Sequence, residues 1–232
     1  MYDIAYLSTA YLPPISYFSK LYHYNQIEIE IYSNYTKQTY RNRCNIIGAN
    51  GIMPLSIPII KPLQSKSPDK DIRISDHDNW QHLHWNAIVS AYGSTPFFEY
   101  YQDDLLPFYK KNLKGYFLLD FNSELLSTIC EWLNISPDIH FTNQYKITFT
   151  SKEKDFRETI HPKHSNDKEF IPLKYYQVFK DKYGFIPDMS IIDLIFNMGP
   201  ESILILNNSI KKHISILNKN LRIVDIQFLK KY

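Results

Sequence analysis

The sequence predicts an α/β fold, with an N-terminal βαβ unit, a mixed sheet and a hairpin, and a helical second half. Three observations predict it. The hydrophobic period changes from 2 to 3.6 and back within the first 32 residues. Asn50-Gly51 lies between two runs rich in β-formers. From residue 79 onward apolar residues recur mostly at helical spacing.

Residues 4–7 form a short apolar run, which Pro13-Pro14 closes because two prolines cannot continue a ladder. Ile15, Phe18, Leu21 and Tyr22 then share one helical face. Residues 26–32 alternate, with Ile27, Ile29 and Ile31 on one side and Glu28 and Glu30 on a side expected to be wet. This spacing predicts that residues 4–7 and 26–32 are parallel neighbours, with residues 15–24 crossing between them. Residues 40–47 and 52–60 read as hairpin arms around a type I′ turn at Asn50-Gly51, and Pro54 and Pro58 demote the second arm to an edge. Residues 61–70 read as a loop, and Ile72-Arg73-Ile74 as a further short strand.

Asn79 is placed to cap a helix whose face carries Trp80, Leu83, His84, Ala87, Ile88 and Ala91. Thr95-Pro96 opens a second helix and residues 123–133 a third. Residues 145–150 alternate like a strand, while residues 151–172 read as a charged loop. Residues 190–198 form a short apolar helix that Gly199-Pro200 ends, and an amphipathic stretch over 201–217 precedes a basic tail. No repeat and no linker interrupts the chain, so residues 1–232 are expected to form one domain.

Composition bounds the function classes. A net charge of +2 gives no global attraction to nucleic acid or to an anionic membrane. No apolar run is long enough to span a bilayer and no basic, apolar leader opens the chain, so a cytoplasmic protein is expected. Two distant cysteines, Cys44 and Cys130, make neither a disulfide framework nor a zinc site. The chain favours Lys over Arg by 21 to 5, so the Arg41/Arg43 pair stands out as a choice of the planar guanidinium fork.

On an extended strand Arg41 and Arg43 point the same way, and Lys37 joins them if the strand reaches back to it. Three cations on one face call for an anion, either a protein carboxylate or a ligand phosphate or carboxylate; a solvated basic face is the alternative. Gly48-Ala49-Asn50-Gly51 has the form of a turn and lacks the spacing of a phosphate loop. His82 and His84 lie on opposite sides of a helix, so no metal site is expected, and no cofactor motif appears. His84 is either a buried, satisfied core histidine or an acid/base group beside a ligand. Glu99 and Asp103 share a helix face, as partners of the Arg pair, as a catalytic pair or as a solvated face.

Four segments in order carry a resemblance. They are Leu12-Pro13-Pro14-Ile15-Ser16-Tyr17-Phe18, the Lys37 to Arg43 motif, Trp80-x-x-x-His84 before Pro96-Phe97-Phe98, and the run from Phe185 to Gly199. Together they resemble the WbqC-like protein family over about residues 4–200. The chain departs from it at Glu30-Ile31-Tyr32, where many members carry an acidic pair, and the tail over 208–232 has no counterpart. The family is associated with O-antigen and other surface-polysaccharide clusters. The resemblance therefore implies a transferase that adds an acyl or aminoacyl-type group to an activated amino sugar, or a non-catalytic sugar-nucleotide-binding or assembly factor of that pathway. In the enzyme reading Lys37, Arg41 and Arg43 bind the anion, Asn42 and Asn50 position polar groups, His84 is the general base and Glu99 assists it.

Overall fold

The computed structural model describes residues 3–61, 66–163 and 166–211. Strand β1 (Ile4–Ser8), helix α1 (Ile15–His23) and strand β2 (Gln26–Glu30) form the expected βαβ unit. The two strands pair in parallel from Ile4↔Gln26 to Ser8↔Glu30. Two short strands from the second half extend the sheet. β5 (Ile139–Phe141) joins β2 and β6 (Glu153–Asp155) joins β1, both in parallel, giving the order β5-β2-β1-β6. The chain therefore builds outward on one side of β1 and returns to its other side, and the strand order reverses between β1 and β6.

The sheet has two unlike faces. Ala5, Leu7, Ile27 and Ile29 are buried in the apolar core with Ile15, Phe18 and Leu21 of α1. The other face is polar yet covered. Glu30, expected on a wet surface, is 0% exposed. It accepts bonds from Arg157 Nη1 (3.0 Å), Thr142 Oγ1 (3.0 Å) and the Tyr32 amide (2.8 Å). The covering segment is residues 142–150. Its alternation does not make a strand: Tyr145 and Phe149 pack their rings on the Arg157 guanidinium, and Lys146 pairs with Glu153 and Tyr6. Side chains of both parities thus find partners on the sheet face, Ile147 stays exposed, and the backbone makes no ladder. Residues 151–172, expected as a loop, contain β6 and the buried Phe156 and Arg157.

Strands β3 (Arg43–Gly48) and β4 (Gly51–Ser56) form the expected antiparallel hairpin, as a separate two-stranded sheet. Its turn differs from type I′. Gly48 pairs with Gly51, so Ala49-Asn50 is the connection, and of the turn residues only Gly51 has positive φ (98°). Glycine is needed where the chain re-enters β4, and the Asn conformation that type I′ would require is avoided. Ile72-Arg73-Ile74 makes isolated bridges to Ile59 and Phe117, not a strand.

Helix α2 (Trp80–Tyr92) buries Trp80, His84, Ile88 and Ala91, while Leu83 faces solvent. Helix α3 (Phe98–Lys110) starts two residues after the expected Pro96, and α4 (Leu118–Trp132) five residues before the expected Ser123. After the one-turn α5 (Lys180–Tyr183) come α6 (Ile191–Met198) and α7 (Ser202–Asn208). The second half thus carries helices over Leu118–Trp132 and from Lys180 onward, and between them residues 133–179 are irregular apart from β5 and β6. Of the stretch expected to be amphipathic over 201–217, residues beyond 211 lie outside the described residues, as does most of the tail over 208–232.

The first loop and the last apolar helix fold together. Pro14 bridges Ser190, the Ile15 amide donates to the Met189 carbonyl and the Ile191 amide to that of Pro13. Asp188 accepts the Ser16 amide (2.8 Å) and hydroxyl (2.9 Å) at the start of α1, where a carboxylate opposes the positive end of the helix dipole. Gly199 ends α6 with φ 54°, and a Cβ there would lie 2.5 Å from the Phe97 ring. Gly199→Ala is expected to cost about 2 kcal/mol or more, from left-handed strain plus overpacking. Urea unfolding measures this, and an unchanged midpoint would show that Phe97 yields without cost.

Candidate functional site

In open sheets with parallel strands, ligands bind outside the carboxyl ends where the strand order reverses. Here that position is between β1 and β6. The loops leaving these strands line a crevice with the turn before β3. Ser8 ends β1 and Thr9 follows it, Arg157 and His161 follow β6, and Thr39 and Arg41 come from the turn. The crevice holds about 10 Å³ as folded, room for roughly one water.

Two buried guanidinium groups shape it. Arg41 Nε donates to Asp69 Oδ2 (2.7 Å), and its Nη2 reaches Ser33 Oγ (3.2 Å) and Glu158 Oε1 (3.4 Å). Nη1 has no partner among the described residues. Ser33 Oγ donates to the same Asp69 oxygen at 2.5 Å. Burial pushes the Asp69 carboxyl above its ordinary pKa, and Arg41 pulls against that shift. Asn122 of α4 fixes the crevice wall by donating to the Arg41 carbonyl (2.8 Å) and to Thr9 Oγ1 (3.0 Å). Since Thr9 accepts that bond, its own hydroxyl hydrogen is left to be donated elsewhere. Arg157 forks onto Asp155, with Nε and Nη2 each 2.8 Å from a carboxylate oxygen, and spends Nη1 on Glu30. Six charged side chains (Glu158, Arg41, Asp69, Glu30, Arg157 and Asp155) therefore crown the carboxyl edge, and the exposed Glu158 is the weakest tie.

The sequence-predicted residues do not gather in one place. Arg41 is buried at the crevice, in a turn ahead of β3, and does not share a strand face with Arg43. Arg43 opens β3 and donates to Ser56 Oγ (2.9 Å). Lys37 is exposed in the turn before it. Asn42 donates to the Ile57 carbonyl (2.7 Å), tying the hairpin base, and Asn50 is exposed at the hairpin tip. Glu99 and Asp103 are exposed along α3. His84 lies in the aromatic core, with its Nδ1 3.0 Å from the Tyr11 hydroxyl, which is 2.7 Å from that of Tyr109. Burial lowers its pKa to about 4, with a bond to the Ser56 backbone working the other way. Neither His84 nor Glu99 lines the crevice.

Sequence reasoning missed Arg157, Asp69, Ser33 and the burial of Glu30. One signal was available: Arg157 is another of the five arginines in a lysine-rich chain.

Comparison with known proteins agrees with the resemblance in family, over a shorter span that ends before the segment from Phe185 to Gly199. The chain matches the WbqC-like protein family over residues 9–171. It is similar to the uncharacterized protein Rv1507c of Mycobacterium tuberculosis, at 24% identity over 224 residues, covering 87% of this chain and 96% of that protein. No solved structure matches. No helix among the described residues is long and apolar enough to cross a membrane.

Proposed function

The chain belongs to the WbqC-like protein family, and from that membership we propose that it is a cytoplasmic transferase of surface-polysaccharide, O-antigen-like biosynthesis, adding an acyl or aminoacyl-type group to an activated amino sugar. The observation that carries this reading is the crevice at the β1/β6 reversal. There Arg41 keeps an unspent Nη1 and Thr9 an unspent hydroxyl hydrogen, both donors suited to the phosphate or carboxylate of an activated sugar. The ligand is a small anion and not nucleic acid, since the net charge of +2 supplies no extended basic surface. A pyrophosphate exceeds the present volume, so entry requires the segment after β6 to part from the Arg41 turn. The 3.4 Å contact to Glu158 is the bond most readily given up.

A second reading, a non-catalytic sugar-nucleotide-binding or assembly factor, is favoured by one observation. His84, the expected general base, and Glu99 are both absent from the crevice lining. In the enzyme reading the proton acceptor has to reach the crevice from elsewhere, or His84 has to act through Tyr11.

The test has two parts. Nucleotide-sugar pools are compared between a deletion strain and its parent, and the intermediate that accumulates is titrated into the purified protein. An amino-sugar nucleotide is expected to accumulate and to bind, and Arg41→Lys is expected to weaken binding about tenfold or more, because the charge stays while the fork is lost. Equal affinity in a variant that melts with the parent removes the anion role of Arg41. Unchanged pools remove the pathway assignment, and tight binding without turnover selects the second reading.

A further inference from the structure

The segment that covers the polar face of the sheet leaves a large aromatic ring open at the carboxyl edge. Tyr145 packs on the Arg157 guanidinium, with 4.7 Å between its ring centre and Cζ, yet the residue is 51% exposed. One face of the ring is therefore backed by a cation, and the opposite face is left to solvent. The ring is held in place from both sides. Lys146, the next residue, donates its amide to Glu30 Oε2 (3.3 Å) and pairs through Nζ with Glu153 and Tyr6. Arg157 beneath it is fixed by Asp155 and Glu30. A rigid aromatic ring loses little conformational freedom when a ligand stacks on it.

Arg157 also lines the Arg41 crevice, so the open ring and the anion site adjoin through one side chain. We propose that Tyr145 is the stacking platform for a nucleobase: the phosphate held at Arg41 belongs to a nucleotide, whose ribose spans Arg157 and whose base lies on the open face of Tyr145. This rests on the anion role given to Arg41 and adds the nucleoside end of the activated sugar to it. Size and charge favour a base at this place. The crevice, at about 10 Å³, has no room for a ring beside a phosphate, so any ring attached to the phosphate lies outside it. A sugar ring asks for strong hydrogen bonds to its hydroxyls, and the charged groups next to Tyr145 are spent on one another, Arg157 on Asp155 and Glu30 and Lys146 on Glu153. A planar base asks only for a flat aromatic face.

Calorimetric titration of the full chain tests this, with UMP, TMP, CMP, GMP and AMP used singly and glucosamine 1-phosphate as a probe without a base. At least one nucleotide is expected to bind. Tyr145→Ala is expected to weaken it about tenfold, the order of one base–aromatic stack, and to leave the sugar phosphate unchanged. Tyr145→Phe keeps the ring and is expected to bind like the parent. Ile147→Ala, at an 80% exposed position of the same segment, is expected to change neither ligand. Arg41→Lys is expected to weaken both. Should Tyr145→Ala melt early, Tyr145→Leu takes its place. Nucleotide affinity that survives loss of the ring overturns the platform and leaves the Arg41 site standing, as does binding of the sugar phosphate alone. Equal losses in Tyr145→Ala and Ile147→Ala, or in Tyr145→Ala and Tyr145→Phe, overturn stacking as the cause. Nucleotide binding that responds to Tyr145→Ala and not to Arg41→Lys upholds the platform and removes the anion role of Arg41. Absence of any binding overturns both.

Discussion

Arg157→Met is expected to lower stability by about 3 kcal/mol, seen as a drop of roughly 10 °C in Tm. The cost comes from the carboxylate it abandons more than from the bond it loses. Glu30 is fully buried at the end of β2, and Arg157 is its cation at 3.0 Å. Without it, Glu30 retains the Thr142 hydroxyl and the amides of Tyr32 and Lys146, all neutral donors. Those bonds keep the loss toward the lower end of what breaking a buried pair costs. Asp155, partly exposed, re-solvates at little expense. Adding Glu30→Gln to Arg157→Met removes the stranded charge and is expected to recover much of the loss, a non-additivity that a double-mutant cycle reads directly. If Arg157→Met melts with the parent, neutral donors suffice for Glu30.

The second large effect is a slope with pH. His84 has its pKa lowered by burial from 6.5 to about 4. On acidification the unfolded chain takes up this proton first. The stability contributed by the neutral ring is therefore complete above pH 6.5 and drains away toward pH 4, by about 3 kcal/mol. Asp188 runs the other way. Burial raises its carboxyl from 3.8 to about 6, so its contribution is full below 3.8 and is lost as pH rises through 6. The two slopes oppose each other over nearly the same window and flatten the parent's acid profile. His84→Gln takes out one of them. The stability gap between parent and variant is expected to shrink by about 3 kcal/mol between pH 7 and pH 4. Urea unfolding at several pH values measures that gap. A gap that stays constant would mean that the His84 ring is protonated inside the fold.

Local signals made most of the fold legible. The change of period around α1 specified the parallel β1–β2 pair, and Asn50-Gly51 marked the hairpin to within one residue. The errors share a cause. Glu30 alternates with isoleucines, and alternation reports two faces without saying what covers the second one. The cover is residues 142–150, more than a hundred positions away, whose own alternation looks like a strand. β5 and β6 are three residues each, too short for a period to register, and their place beside β2 and β1 is a tertiary fact. The candidate site was legible in part for the same reason. Arg41 stood out by composition, but its partners Ser33, Asp69 and Glu158 come from three separate segments. Arg43, two residues away, faces elsewhere because β3 begins only at that residue. His84 shows the limit of residue type as evidence, since an imidazole on an apolar helix face suits a core as well as a cleft.

The join between the first loop and α6 also bears on how the protein is made. The turn that carries the chain from β1 into α1 is held by Ser190, Met189 and Asp188, so an element synthesised early in this chain is completed by one synthesised much later. While a ribosome is still translating the middle of the chain, the start of α1 lacks its carboxylate and the loop at Pro14 lacks its bridge. Partners so distant in sequence make closure slow, and the growing chain spends that interval with the start of α1 untied. A chain cut short before residue 188 is thus left with that loop and the start of α1 unsecured, as a substrate for chaperones and proteases.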